Sequence, residues 1–198
     1  EIVHKFNAVY GETLVTPEML LPENQSCCRL IGTDGKAKMS KSLGNCIYLS
    51  DTSKEVKKKV NSMFTDPEHL QITDPGHVEG NVVFTYLDAF CQPEHFAKYL
   101  PEYEDLDAMK DHYRRGGLGD GTCKKFLFNI MEEFLQPMRE KRAQYEQNIP
   151  QVYEILRKGS EVARAEAAKT LADVRKAMKI DYFDDAELIA EHTLKYRR

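Results

Sequence analysis

Apolar residues recur at helical spacing along most of this chain. Ile2, Val3, Phe6 and Tyr10 share one face, with Gly11 as a stop, which predicts an amphipathic helix from the first residues. Ser50-Asp51-Thr52 offers an amino-terminal cap, and Thr52-x-x-Glu55 fits a capping box. Val56, Val60, Met63 and Phe64 then line one face at helical spacing. Val82, Val83, Tyr86, Leu87 and Phe90 form another stripe, stopped before Pro93, and Leu106, Met109 and Tyr113 predict a short helix ended by Gly116-Gly117. The longest element is expected from about Gly121 to Gln147, with Phe126, Leu127, Ile130, Met131, Phe134, Leu135 and Met138 as its face. Pro137 lies inside it. An interior proline costs about 3 kcal/mol, so a kink is expected there, with the apolar face holding the helix together. Pro150 opens a short helix carrying Val152, Ile155 and Leu156 and closed by Gly159, followed by a final helix with Val162, Ala167, Leu171, Val174 and Met178. From Asp181 onward the pattern is weak and reads as a fraying tail.

The stretch between the first helix and Ser50 is of a different kind. Residues 12 to 32 are irregular and punctuated by Pro17 and Pro22, and the apolar run around Cys27, Cys28, Leu30 and Ile31 predicts a single strand. Gly32-Thr33-Asp34-Gly35 reads as a turn. Lys36 to Asn45 is polar, small and glycine-containing, the signature of a mobile surface loop. The whole is mainly α with a remnant of sheet.

Composition narrows the class. With 198 residues and 41% hydrophobic content, the chain suits one domain or the larger part of two. A net charge of -4 gives no global pull towards nucleic acid, so any RNA contact must come from local basic clusters. No apolar run reaches the ~18 residues of a membrane span. The five cysteines are odd in number and form no C-x-x-C pair, which points to reduced thiols and against a disulfide framework or zinc site. The six histidines have no metal-ligand spacing; His112, beside Tyr113 and two arginines, is the one worth following. A sequence that opens without Met, inside a helical pattern, is expected to be cut from a longer chain.

One segment carries chemistry: Lys38-Met39-Ser40-Lys41-Ser42-Leu43-Gly44-Asn45. Two ammonium groups three residues apart can reach neighbouring phosphate oxygens. Two serine hydroxyls and a run of backbone N–H groups add donors. Gly35 and Gly44 bracket the loop and allow it to open and close over a ligand. Cations there would meet the charge that builds on pyrophosphate leaving the α-phosphorus of ATP. On composition alone, a solvated Lys/Ser loop is the blander alternative.

The full eight-residue string resembles the second signature of class I aminoacyl-tRNA synthetases. The surrounding residues are most similar to the tryptophan branch of that class, of bacterial type. They are Arg29, Gly32, Asp34 and Gly35 leading into the loop; Phe64-Thr65-Asp66-Pro67; Gly80-Asn81 with Phe84, Tyr86, Leu87 and Phe90; Gly116 to Asp120; Cys123-Lys124-Lys125; Glu133-Phe134-Leu135 with Pro137, Arg139 and Glu140; and Ala163-Arg164 with Thr170 to Met178. This resemblance implies amino-acid adenylation with ATP and Mg2+, then acyl transfer to tRNA(Trp), in a cytoplasmic enzyme that is a homodimer when complete. It implies that Lys41 contacts the ATP phosphates with Lys38 assisting, as the catalytic pair. Met39, Ser40, Ser42, Gly44 and Asn45 complete the nucleotide-binding loop. The implied architecture is a helical, anticodon-binding-like bundle attached to the last part of a Rossmann-like catalytic domain. Residues 1–50 would end that domain, 51–183 would form the tRNA-binding region, with its last helices able to pack back on the catalytic domain, and 184–198 a tail.

The sequence also departs from the family pattern. The first ATP signature, of His-x-Gly-His type, is absent, and the only adjacent glycine–histidine pair, Gly76-His77, follows the loop. The chain is therefore expected to be inactive alone. Candidate tRNA contacts are Arg114, Arg115, Lys124, Lys125, Arg139, Lys141 and Arg142, each weighed against a solvated helix face. Lys57, Lys58 and Lys59 read as solvent-facing. A non-catalytic helical tRNA-binding module and the related tyrosine–tRNA ligase remain as alternatives.

Overall fold

The structure, a computed structural model, describes residues 1–24, 29–183 and 185–197. Among these there are eight helices: α1 (Ile2–Tyr10), α2 (Ser53–Asn61), α3 (Val82–Phe90), α4 (Pro93–Tyr99), α5 (Leu106–Arg115), α6 (Asp120–Glu146), α7 (Ile149–Ala177) and α8 (Ala186–Lys195). The chain divides into two compact units, Leu21–Glu146 and Glu1–Leu20 with Gln147–Arg198.

The Leu21–Glu146 unit is organised around α6. Its stripe of Cys123, Phe126, Leu127, Ile130, Met131 and Leu135 is buried, while Phe134 and Met138 stay partly exposed. Helices α2 and α3 pack on this stripe; α4 adds to it, and α5 rests on α3. Val56 and Val60 of α2 and Met63 after it are buried, as are six residues of α3, including Phe84, Tyr86 and Leu87. Each such apolar side chain contributes roughly 1.5–3 kcal/mol of burial. The capping box at Thr52 is present in full: the Thr52 hydroxyl accepts from Glu55 N–H and the Glu55 carboxylate accepts from Thr52 N–H. Asn81 caps α3 through Val83 N–H, and Asp105 caps α5 through Ala108 N–H. Helix α6 is continuous through Pro137, as a helix held by its apolar face on one side of the proline.

The stripe of α3 ends before Pro93 as expected, and a further helix, α4, then opens on that proline, which is well placed in a first turn. Three expectations are corrected here. The segment after Pro150 is one helix of 29 residues, about 43 Å long, and not two. Gly159 does not interrupt it. Arg157 reaches forward to Glu161 and back to Glu154 across that point, and a single interior glycine costs only about 1 kcal/mol. The tail is not simply frayed: Asp185 accepts a bond from Leu188 N–H and starts α8. In place of the expected strand there is, among the described residues, only an isolated antiparallel bridge between Ile31 and Lys38; Cys27 and Cys28 lie outside them.

In the second unit, α1, α7 and α8 have no buried residue. After α1, the Asn7 side chain accepts from Thr13 and Leu14 N–H and donates to Leu14 carbonyl, folding the chain back over Gly11. No helix of the described residues is long and apolar enough to cross a membrane.

The unbroken α7 gives a test. Nothing lies within 4 Å of a Cβ built on Gly159, so Gly159→Ala should raise stability by up to about 1 kcal/mol and increase helicity by circular dichroism. A loss of helicity would mean that the glycine marks a break.

Candidate functional site

The loop that bears Lys38 and Lys41 is built outward from its neighbours. Met39 N–H donates to Leu30 carbonyl and Gly32 N–H to Ala37 carbonyl, so the chain doubles back on itself. Gly35 N–H bonds Gly32 carbonyl, closing the expected turn, and Gly35 has a φ of 68° that only glycine adopts freely. Gly32 is required for a second reason: a Cβ there would lie 2.1 Å from the Asn45 amide nitrogen.

Asn45 closes the loop. It is buried; its side-chain oxygen accepts from Ser40 N–H at 2.8 Å, and its amide donates to Asp34 at 3.1 Å and to Lys38 carbonyl at 3.4 Å. Its own carbonyl accepts from Thr33 N–H. The Asp34 carboxyl is raised by desolvation, but bonds from Lys36 N–H and the Asn45 amide outweigh this and hold it below the ordinary range. The ten residues expected as a slack ribbon thus carry an internal frame, with Met39 packed against the core. Ser40 and Ser42 share a hydroxyl–hydroxyl bond of 2.9 Å. The Lys38 and Lys41 ammonium groups are exposed and have no ion pair or hydrogen bond among the described residues.

Both ends of the loop are moored. On the entry side, the buried Tyr86 of α3 donates its hydroxyl to Ile31 carbonyl at 2.9 Å, and burial pushes that phenol well above its ordinary range. Phe64 N–H bonds Thr33 carbonyl. On the exit side, Asp51 accepts from Tyr48 N–H and from Lys59 of α2, whose ammonium also lies 4.4 Å from the Tyr48 ring centroid. Arg139 of α6 donates to Asp51 carbonyl at 3.2 Å. Between loop and α6 is a cleft of about 720 Å³ lined by Met39, Ser40, Lys41, Cys46, Ile47, Tyr48, Leu49, Ser50, Met138 and Arg142.

Most basic residues offered as tRNA contacts have partners within the protein. Arg114 pairs with Glu79 and Asp111, Arg142 with Glu146, and Arg139 with Glu132. Arg115 and Lys124 donate to the carbonyls of Asp111 and Asn61, and Lys141 lies over the Tyr145 ring. Lys125 has no such partner among the described residues. Of the three lysines read as solvent-facing, Lys59 is not: it is half-buried on Asp51. Lys57 lies 5.8 Å from the Phe128 ring centroid. His112 is bonded to the Tyr103 hydroxyl at 2.6 Å. Among the described residues, no three His, Cys, Asp or Glu groups cluster as a metal site would require, and Cys46 and Cys123 are buried free thiols. The moorings at Asp51 and Tyr86 were not read from the sequence, because each joins residues far apart along it.

A second cavity, of about 330 Å³, lies beside the Phe64-to-Glu68 turn. There Asp66 is desolvated, which raises its carboxyl, yet N–H bonds from Glu68 and His77 and the His77 imidazole at 2.8 Å bring it below its ordinary 3.8. The Asp66 bond and charge raise His77 above its ordinary 6.5. The His77 contribution to stability is therefore full below about pH 6.5 and lost as pH rises through the higher folded value. The Asp66 contribution is present above about pH 4 and lost as pH falls through the lower folded value. His77→Gln should lower the melting temperature at pH 5.5 more than at pH 8.5; an equal loss at both would refute the linkage. Asn45→Ala, which removes a buried amide with three side-chain bonds, should cost about 1–3 kcal/mol in chemical denaturation.

A family model described as tRNA synthetases class I (W and Y) matches residues 1–136. The chain is 52% identical over 186 residues to the tryptophan–tRNA ligase of Clostridium longisporum, covering 93% of this chain and 52% of that protein. It is also 52% identical over 184 residues to the tryptophan–tRNA ligase of Streptococcus pyogenes serotype M3, covering 92% of this chain and 52% of that protein. Among solved structures, tryptophanyl-tRNA synthetase from Campylobacter jejuni complexed with ADP and tryptophan aligns with a TM-score of 0.64 at 27% identity. That alignment covers 90% of this chain and 51% of the other. The chain spans about half the length of the curated relatives it matches. Its fold, its signature loop and the extent of the family match place it together: the chain belongs to the class I tRNA synthetases, in the group of the tryptophan and tyrosine enzymes.

Proposed function

We propose that this chain supplies the phosphate-gripping loop and the helical RNA-binding region of a tryptophan–tRNA ligase. The observation that carries the reading is the pair of unpartnered ammonium groups, Lys38 and Lys41, on a loop framed by the bonds of Asn45 to Ser40 and Asp34 and by the paired Ser40 and Ser42 hydroxyls. In the reaction, a tryptophan carboxylate oxygen attacks the α-phosphorus of ATP and the bond to pyrophosphate breaks. A tRNA ribose hydroxyl then attacks the activated carbonyl and AMP departs. Lys41, with Lys38, meets the charge on the departing pyrophosphate; Ser40, Ser42 and the backbone from Met39 to Gly44 add donors, and Asn45 fixes the frame.

The preference for tryptophan over tyrosine rests on the close identity to tryptophan–tRNA ligases. The Campylobacter enzyme, complexed with ADP and tryptophan, supports the same substrates. Residues 1–50 would complete a Rossmann-like domain, 51–183 would bind tRNA(Trp), with Lys125 the freest of the candidate cations, and 184–198 would form a tail. The complete enzyme would be a cytoplasmic homodimer. The apolar side chains left exposed on α1 and α7, such as Ile2, Val9, Ile155, Leu156 and Val162, suit burial against the rest of such an enzyme.

The test is tryptophan-dependent ATP–pyrophosphate exchange, with tyrosine for comparison. It is run on this chain alone and after mixing with the separately made amino-terminal half of a relative. Silence alone and tryptophan-selective exchange on mixing are expected, with Lys41→Ala lowering the exchange by about a hundredfold. An unchanged rate in Lys41→Ala would reduce the loop to a relic and favour a non-catalytic RNA-binding module.

A further inference from the structure

Arg139 was a candidate for RNA contact, yet its guanidinium is turned inward and only 16% exposed. One nitrogen, Nη2, donates to Glu132 at 2.7 Å and Gln136 at 3.0 Å, both on its own helix. The other, Nη1, donates across 88 residues of sequence to the Asp51 carbonyl. Glu132 and Gln136 thus fix the direction in which the second nitrogen points. Asp51 is the last residue of the loop's exit stem and the point where four bonds meet: Tyr48 N–H and Lys59 on its carboxylate, Arg139 on its carbonyl, and its own N–H on the Tyr48 carbonyl. Tyr48 to Ser50 line the same cleft as Ser40 and Lys41.

We propose that Arg139 is a positioning residue for the signature loop: by holding Asp51 on α6, it makes the helix set where the exit stem, and with it Lys41, sits. The alternating row Glu132, Arg139, Asp51 and Lys59 is mostly shielded, with side-chain exposures of 21%, 16%, 8% and 24%, so its bonds are stronger than surface pairs. A displacement of α6 reaches the loop through this one guanidinium and through the Lys59 contact of α2. The catalytic consequence rests on the phosphate-gripping role proposed above; the mooring itself does not.

Hydrogen exchange on the full chain tests the mooring. The Tyr48 and Asp51 amides, bonded within the stem, report on it, and the Leu127 and Ile130 amides of α6 report on global opening. In Arg139→Met, loss of a charged hydrogen bond should speed exchange at Tyr48 and Asp51 by about tenfold or more and leave Leu127 and Ile130 unchanged. Arg139→Lys, which keeps the charge but reaches fewer acceptors, should give a smaller selective increase. If Arg139→Met does not fold, the lysine variant decides. Unchanged stem amides, or equal acceleration throughout, would overturn the proposal. In the mixed-half exchange assay, Arg139→Lys should lower kcat several-fold with KM for tryptophan unchanged. Normal exchange in Lys41→Ala would sink the phosphate reading while the amide result still decides the mooring.

Discussion

The burial of one stripe on α6, from Cys123 to Leu135, is the constraint on which the Leu21–Glu146 unit depends. Helices α2 and α3 both lean on that stripe, which buries most of their valines and leucine, while α5 adds Tyr113 against Phe84 of α3. Everything that shapes the signature loop then hangs from these three helices. Tyr86 of α3 holds the entry, Lys59 of α2 and Arg139 of α6 hold the exit, and Asn45 joins the two sides. The loop has no secondary structure of its own to keep it in place, so its precision is borrowed from helix packing.

Electrostatics divide the surface in a telling way. Several helix cations are matched locally: Arg157 lies between Glu154 and Glu161, Arg142 meets Glu146, and Lys98 meets Glu133. Such exposed pairs add little stability, but they neutralise the faces that carry them. The two loop lysines are not matched in this way. In a chain of net charge -4, a local pair of unneutralised ammonium groups is a place that attracts an anion.

Local signals in the sequence proved sufficient for local structure. The Thr52–Glu55 box, the Gly11 and Gly116 stops, the turn at Gly32 to Gly35 and the apolar stripes of α2, α3, α5 and α6 all depend on residues within a few positions of each other. Gly159 misled because propensity is a weak prior and the flanking arginine pairs outvoted it. Pro93 marked the end of α3 correctly, but α4 went unread because the same residue that closes one helix can open the next. The loop itself was legible as a string of residue types, Lys38 to Asn45. Its mooring was not, because a carbonyl such as that of Asp51 has no signature in the sequence, and Arg139 looks the same whether it faces RNA or a backbone oxygen 88 residues away.

That separation has a consequence for how the site comes into being. A ribosome makes about 5–20 residues per second, so roughly 4–18 s pass between the synthesis of Asp51 and that of Arg139, 88 residues later. During that interval the capping box of α2 can form, but the stem it follows has no counterpart on α6 to grip. The signature loop is therefore among the last parts of this unit to acquire its shape, and the nascent chain passes through a stage in which its residues exist without the geometry that α6 gives them.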